Sequence, residues 1–373
     1  MSGGVDSSVA LLLLHEAGYR VIGAHMKLWN FAEVGGEAKK DGRCCTLESI
    51  DDCRAICDSV GAPYYTLNFV ERFRKEVIES FVTEYRAGRT PNPCVVCNTR
   101  MKWDAFLSRA RELDCPYIAT GHYARIKRAD NGRLYVGRGV DDTRDQSYAL
   151  WGLTQDALAH TLMPLGEMRK SEVRDYGRDH GMRTAEKPES REICFVADDN
   201  YRRFLAEWEA KRGRSFEEGE IVTTDGQPVG RHDGAAFFTV GQRKGLGVSA
   251  PEPFYVTGID TTANRVIVGR RDELLCDSAI IAGVNWMAMA ATDQEFSAEV
   301  KIRYMSASAP AMITPLADGR LSVRFLSPQR AVTPGQSAVL YDGEIVLAGG
   351  VIERGFRRAS SDAESTVIQV ASA

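Results

Sequence analysis

Two sets of residues have types and spacings that suit chemistry: a Gly-rich loop able to hold phosphate, and a scattered group of thiols. Ser2-Gly3-Gly4-Val5-Asp6-Ser7-Ser8 runs straight into the apolar stretch Val9–Leu14. Its glycines let the backbone turn tightly and leave no Cβ in the way of a ligand. A helix starting there presents unpaired N–H groups and the positive end of its dipole, both attractive to phosphate. Ser7 and Ser8 can add hydroxyl donors. A plain turn with a Ser/Asp helix cap is the competing reading. The string lacks the Gly-Lys-Ser/Thr ending of the common phosphate loop. Among the nine cysteines, Cys94 and Cys97 follow Pro91 and Pro93, and Cys194 ends the polar stretch Lys187–Phe195. The prolines predict irregular structure before the cysteines, a loop able to carry a thiol into a cleft. Cys53 and Cys57, near Cys44 and Cys45, lie four apart on one helix face. Buried inert thiols explain that pair better than a metal site.

These residues need a frame, and the pattern around them is α/β. A helix over 9–17 and a strand over 19–26 are followed by a polar, Gly-rich loop from Asn30 to Gly42. A helix over 46–60, a strand over 63–69 and an amphipathic helix over 71–86 continue the rhythm of a parallel sheet. A helix over 101–113 and a strand over 115–123 follow, the latter ending at Gly121-His122, where an open sheet places its ligands. Helices over 171–181 and 200–212 come next. From Gly219 short alternating strands take over, with turns at Asp225-Gly226 and Asp233-Gly234. Strand candidates at 265–268, 296–302, 321–325, 338–341 and 345–352 suggest a small barrel. The expected division is 1–205, 206–262 and 263–358, with 359–373 a disordered tail. A doubly wound sheet usually has a strand just before its phosphate loop, and none precedes Ser2, so a less rigid ATP site is expected.

With 373 residues, 44% hydrophobic and 26% charged, the chain fits two or three domains of an ordinary globular protein. No apolar run reaches the roughly 20 residues that span a bilayer, and no secretory signal is visible. A cytoplasmic location with reduced thiols is the expectation. The net charge of -4 gives no hint of a polyanionic partner, which local basic patches would have to meet.

The Ser2–Ser8 string resembles the pyrophosphatase loop (PP-loop) of ATP-dependent adenylating enzymes, which split ATP to AMP and pyrophosphate. Further along, Gly88-Arg89-Thr90-Pro91-Asn92-Pro93 with Cys97-Asn98, Ala119-Thr120-Gly121-His122-Tyr123-Ala124-Arg125, Asp145-Gln146-Ser147, Cys194-Phe195, Gly241–Gly247 and Ile302-Arg303-Tyr304 occur in family order. Together they resemble the tRNA-specific 2-thiouridylase family over nearly the whole chain. The resemblance implies a PP-loop domain of the adenine nucleotide alpha hydrolase type, a small central β-rich domain and a C-terminal β-barrel. It implies ATP-dependent replacement of the C2 oxygen of the wobble uridine of tRNA by sulfur. ATP would be held by Ser2, Gly3, Gly4, Val5, Asp6, Ser7, Ser8, Met26 and Gly121, with Mg2+ on the pyrophosphate and Asp6 a candidate ligand. The target base would meet Asn92, Pro93 and Cys94. The tRNA would meet His122, Arg144, Asp145, Gln146, Arg243, Lys244, Arg303, Tyr304 and Gln336. Cys97 occupies the nucleophile position and Cys194 that of the persulfide carrier. A sulfur donor, either a persulfide-relay protein or sulfide, and a monomer are expected. Arg191, Arg100 and Lys102 are candidates, by proximity in sequence, to activate a thiolate.

One position departs from the family pattern. Many members carry Asp three residues before the nucleophile, whereas this chain has Cys94. Three converging thiolates, Cys94, Cys97 and Cys194, could ligate a 4Fe-4S cluster with one iron left open. A metal-free persulfide relay, a redox pair and a zinc half-site are the alternatives. Two rivals to the whole reading are a PP-loop ligase acting on a small metabolite and a catalytically impaired tRNA-binding homologue.

Overall fold

A computed structural model describes residues 1–35, 47–187, 193–196 and 198–357. Cys44, Cys45, Arg191 and the tail lie outside the described residues. The first helix, Val5–Glu16, buries Val5, Val9, Leu11 and Leu12 against Tyr123, Leu165 and Val173. Parallel strands β1 (Gly23–Lys27) and β2 (Tyr64–Asn68) form one pair, and β3 (Ile118–Ala119) lies in a second with β6 (Thr161–Leu162). Among the described residues no strand joins β1 to β3; both pairs line a cavity of about 930 Å³. Between β3 and β6 the chain makes an antiparallel hairpin, β4 (Ala124–Arg128) and β5 (Leu134–Arg138), absent from the sequence reading.

The central unit is a sheet of β7 (Gly219–Thr223), β8 (Pro228–His232), β9 (Tyr255–Asp260) and β10 (Arg265–Gly269). β10, which the sequence reading assigns to the barrel, pairs parallel with β7. Its inward Val266 and Val268 share a core with Ile221 and Val256. The last unit is a closed barrel in the order β11 (Leu275–Trp286), β14 (Leu321–Arg330), β13 (Ala309–Pro315), β12 (Phe296–Lys301), β15 (Ser337–Asp342) and β16 (Ile345–Phe356). It closes through β11 and β16. Strand β5 of the hairpin pairs with β16 at Gly137 and Ile345, so the N-terminal unit is hydrogen-bonded to the barrel wall. A shared core of Trp103, Leu107, Tyr148, Met287, Tyr341 and Val346 fills the junction.

Among the described residues, no helix is long and apolar enough to cross a membrane.

Candidate active site

Gly3 has φ +73°, and a Cβ there would sit 2.5 Å from Ser49 Cβ, so only glycine fits. Gly4 caps the first helix without a side chain, which leaves the first-turn amides without a capping oxygen. The serine hydroxyls bond within the loop itself. Ser8 is fully buried and donates to the Gly4 carbonyl at 3.1 Å, while Ser7 Oγ donates to the same oxygen at 3.2 Å and accepts from Ser2 N. They brace the turn.

Gly121 lies against the loop from the end of β3. A Cβ on it would approach the Asp6 carbonyl carbon to 2.7 Å. Overpacking of this kind costs about 1–3 kcal/mol. If that strain falls on the ATP-binding conformation, affinity for ATP in Gly121→Ala drops about ten- to hundredfold, read by titration calorimetry. Met26 stands at the end of β1, half-buried beside the aromatic core described below.

Asp6, the candidate magnesium ligand, is held by two neighbours. Its carboxylate accepts from Lys170 Nζ at 2.7 and 2.9 Å and from the Tyr123 hydroxyl at 2.7 Å. The Lys170 side chain is only 8% exposed, so this cation is built into the loop's floor. Its backbone N–H donates to Asp141 at 2.9 Å. Burial opposes ionisation of Asp141, but that bond and two from Thr143 hold its carboxyl below the ordinary value. Sequence reasoning missed Lys170, which is 164 residues from its partner.

The two prolines do not keep Cys94 and Cys97 in a loop. Asn92 caps a helix, its Oδ1 accepting from Val95 N at 3.4 Å, and Pro93 takes the first helical position. There a missing N–H costs nothing and φ is already helical. The helix continues through a π-helical stretch, Cys97–Phe106, to Glu112. Cys94 is exposed on its first turn. Although its surface is open, the protein crowded around it pushes its thiol up by desolvation, partly offset by the Lys102 ammonium. Lys102 Nζ lies 3.3 Å from His122 Nε2, and Thr120 Oγ1 is 2.7 Å from Nδ1. Burial and Lys102 hold the imidazole pKa far below its usual value. An ammonium can only donate, so Nε2 accepts and Nδ1 carries the proton toward Thr120.

Cys97 and Cys194 face a different surroundings. Both pack, half-buried, on an aromatic core of Phe73, Phe81, Phe195, Phe204 and Trp208. Phe195 anchors Cys194 through edge contacts with Phe73, Phe81 and Phe204 at centroid distances of 5.7, 5.2 and 5.3 Å. Each such aromatic pair contributes about 0.5–1.5 kcal/mol beyond burial. The converging three-thiol metal site expected from the sequence is not formed. Among the described residues no three His, Cys, Asp or Glu side chains stand close enough to hold a metal ion. Cys94 belongs with Lys102, the other two with the aromatic core. Cys53 and Cys57 are fully buried, and desolvation pushes Cys57 up to about 11, an inert thiol.

The carried-over tRNA contacts divide into surface and interior groups. Arg243, Lys244 and Tyr304 are exposed, and Arg144 and Arg303 half-buried. Arg303 donates to the Arg330 carbonyl at 2.9 Å. Asp145 is buried, and its carboxylate accepts from Gly139 N, Ser147 N and Ser147 Oγ, which leaves it shaping its own loop. Gln146 is zipped to Tyr123, its Oε1 accepting from Tyr123 N and its N–H donating to Tyr123 O, both at 3.0 Å.

A glycine-capped helix start on a parallel α/β unit, two half-buried thiols on one aromatic core and two appended β units define a HUP-type α/β protein with β appendages. Family models agree along the chain: a tRNA methyl transferase HUP domain matches residues 1–198, its PRC-barrel domain 209–270 and an aminomethyltransferase beta-barrel domain 277–352. Curated relatives match 95% of the chain. The tRNA-specific 2-thiouridylase MnmA of Geotalea uraniireducens is 48% identical, with 93% of its own length covered. Those of Geobacter metallireducens and Clostridium beijerinckii are 47% and 44% identical, with 95% and 97% covered. The chain belongs to the tRNA-specific 2-thiouridylase family.

Proposed function

We infer that the protein is a tRNA-uridine 2-sulfurtransferase that uses ATP with Mg2+ to activate the wobble uridine and then delivers sulfur from a cysteine persulfide. The observation that carries the reading is the placement of Cys97 and Cys194 on one aromatic core, in a chain whose first helix starts as a phosphate site. The uracil C2 oxygen attacks the α-phosphorus of ATP, pyrophosphate leaves, and the N3 proton passes to solvent and returns when AMP departs. First-turn amides of the helix take up charge on the phosphates, and the Lys170–Asp6–Tyr123 set holds the loop in shape. Cys194 carries the transferable sulfur as a persulfide. Its terminal sulfur attacks C2, and AMP departs with the original oxygen. The Cys97 thiolate then attacks Cys194 Sγ, releasing the 2-thiouridine and leaving a Cys97–Cys194 disulfide, which an external thiol reduces.

Cys94, beside Asn92 and Pro93 at the expected target-base position, is a poor base in its protonated form. Its thiol suits hydrogen bonding to the uracil, and the Lys102 ammonium near it would stabilise negative charge that develops on an extruded base. Exposed Arg243, Lys244 and Tyr304, with Arg303 and Arg144, supply the phosphate and stacking contacts for tRNA. On strand pairing we place the division between central unit and barrel after Gly269. We read the protein as a cytoplasmic monomer supplied by a persulfide-relay protein, which delivers sulfur already at the oxidation level of the Cys194 persulfide.

The relay has a direct test against the iron–sulfur alternative. Protein purified without oxygen is expected to be colourless and iron-free, active with a persulfide donor, and to keep that metal-free activity in part in Cys94→Ala. Brown protein with about four irons, lost in Cys94→Ala, would reinstate the cluster.

A further inference from the structure

Gln336 sits in the barrel and faces the N-terminal unit rather than open solvent. Its side-chain Nε2 donates to the Thr90 carbonyl at 3.0 Å and the Pro91 carbonyl at 3.2 Å. Thr90 N returns a bond to the Pro334 carbonyl at 2.8 Å. Gly335 has φ +89°, and a Cβ on it would come within 2.8–3.0 Å of Thr90 backbone atoms, so the two backbones meet only through a glycine. Gln336 itself is pinned to the barrel: its N–H donates to Thr333 O, and Ile352 N donates to its carbonyl. From the other side, the Tyr148 hydroxyl meets the Asn92 side chain and donates to Ser337 O at 2.8 Å. At the start of the segment, Gly88 lies close enough to Ile259 and Thr261 of the central unit that a Cβ would touch both at 3.0 Å. The five residues before the Cys94 helix are thus gripped by all three units.

We propose that Gln336 is a positioning residue that holds the Thr90-Pro91-Asn92 turn, and through it Cys94 and Cys97, in place for the reaction before any tRNA is bound. The sequence reading gave Gln336 a tRNA contact. The structure gives its amide N–H groups to the catalytic turn and leaves Oε1 for other partners. Pro91 and Pro93 have no N–H to offer the Thr90 and Pro91 carbonyls, and the Gln336 amide supplies that donor from outside the turn. The chemistry of this turn rests on the thiolation reading above. Its fixation in the tRNA-free protein does not.

The test uses the full chain with two substitutions, Gln336→Met, which keeps length and removes the donor, and Gly335→Ala, which alters no side chain able to reach RNA by hydrogen bonding. Iodoacetamide labelling of Cys94 and Cys97, read by peptide mass spectrometry without tRNA or ATP, is followed by kcat and the KM for tRNA. Both variants are expected to change the labelling rate of at least one of these thiols about threefold or more and to lower kcat about tenfold or more. A variant that fails to fold by circular dichroism is set aside, and the other decides. Unchanged labelling in a folded variant, whether or not KM for tRNA rises, would overturn the proposal and return Gln336 to a tRNA contact alone. Wild-type protein that makes no 2-thiouridine would instead overturn the thiolation reading, and the labelling result would still decide the positioning role.

Discussion

Lys170→Met is expected to cut ATP-dependent pyrophosphate release about a hundredfold or more while the protein stays folded. The lysine lies 164 residues from the phosphate loop, yet its ammonium holds both oxygens of Asp6, and the Tyr123 hydroxyl shares one of them. Removing the cation leaves a carboxylate with about a third of its surface exposed, facing the place where triphosphate must bind. That carboxylate then repels the substrate and has lost what fixed it. Breaking a buried pair from one side costs about 3–5 kcal/mol. The exposure of Asp6 puts this one at the low end. Asp6→Asn tests the same contact from the other side, since it removes the repelling charge along with the pair. If the two residues act as one unit, the double variant loses less activity than the product of the single losses. Additive losses, measured by pyrophosphate release with tRNA present, would separate the two roles.

The second large effect is a separation of two half-reactions. Cys97→Ala is expected to release AMP and pyrophosphate in the presence of ATP and tRNA at a rate within about tenfold of wild type, and to lower 2-thiouridine yield by about a thousandfold or more. The proposed mechanism assigns activation to the helix start at Val5 and the Lys170 floor, and Cys97 belongs to neither. On the proposed mechanism sulfur release depends on a thiolate reaching Cys194 Sγ, and among the described residues Cys97 is the other thiol packed on the shared aromatic core. Cys194→Ala should give the same split. Loss of AMP formation in Cys97→Ala would mean that the thiol takes part in activation and that the division of labour drawn here is wrong.

Much of this was legible in the residues themselves. The Gly-Gly-Val-Asp string announces a tight turn into a helix, and Gly121 at a strand end announces a close approach, because each glycine solves a local steric problem. The strand–helix alternation and the later short strands also read correctly, since hydrophobic period is a local property. What stayed hidden depends on distant partners. Lys170 looks like any surface lysine until the fold sets it under Asp6. Strand β10 has the pattern of a barrel strand, and only its partner β7 shows where it belongs. The hairpin of β4 and β5 carries Arg125, Lys127 and Arg128 in one strand and gives little apolar signal, yet it joins the barrel wall. Pro91 and Pro93 read as helix breakers because proline's rule depends on position, and the first helical position is where it is tolerated. The converging metal site failed for a related reason: sequence spacing says nothing of which face each thiol meets.

The most direct test of the account follows a single turnover without added reductant. Persulfide-loaded protein is mixed with ATP, Mg2+ and unmodified tRNA and quenched in acid. The 2-thiouridine in the tRNA and the Cys97–Cys194 disulfide peptide are counted in the same sample by mass spectrometry. The account predicts one disulfide for each 2-thiouridine formed, with neither present when ATP is left out. Thiouridine appearing without that disulfide, or the disulfide forming without ATP and tRNA, would contradict it.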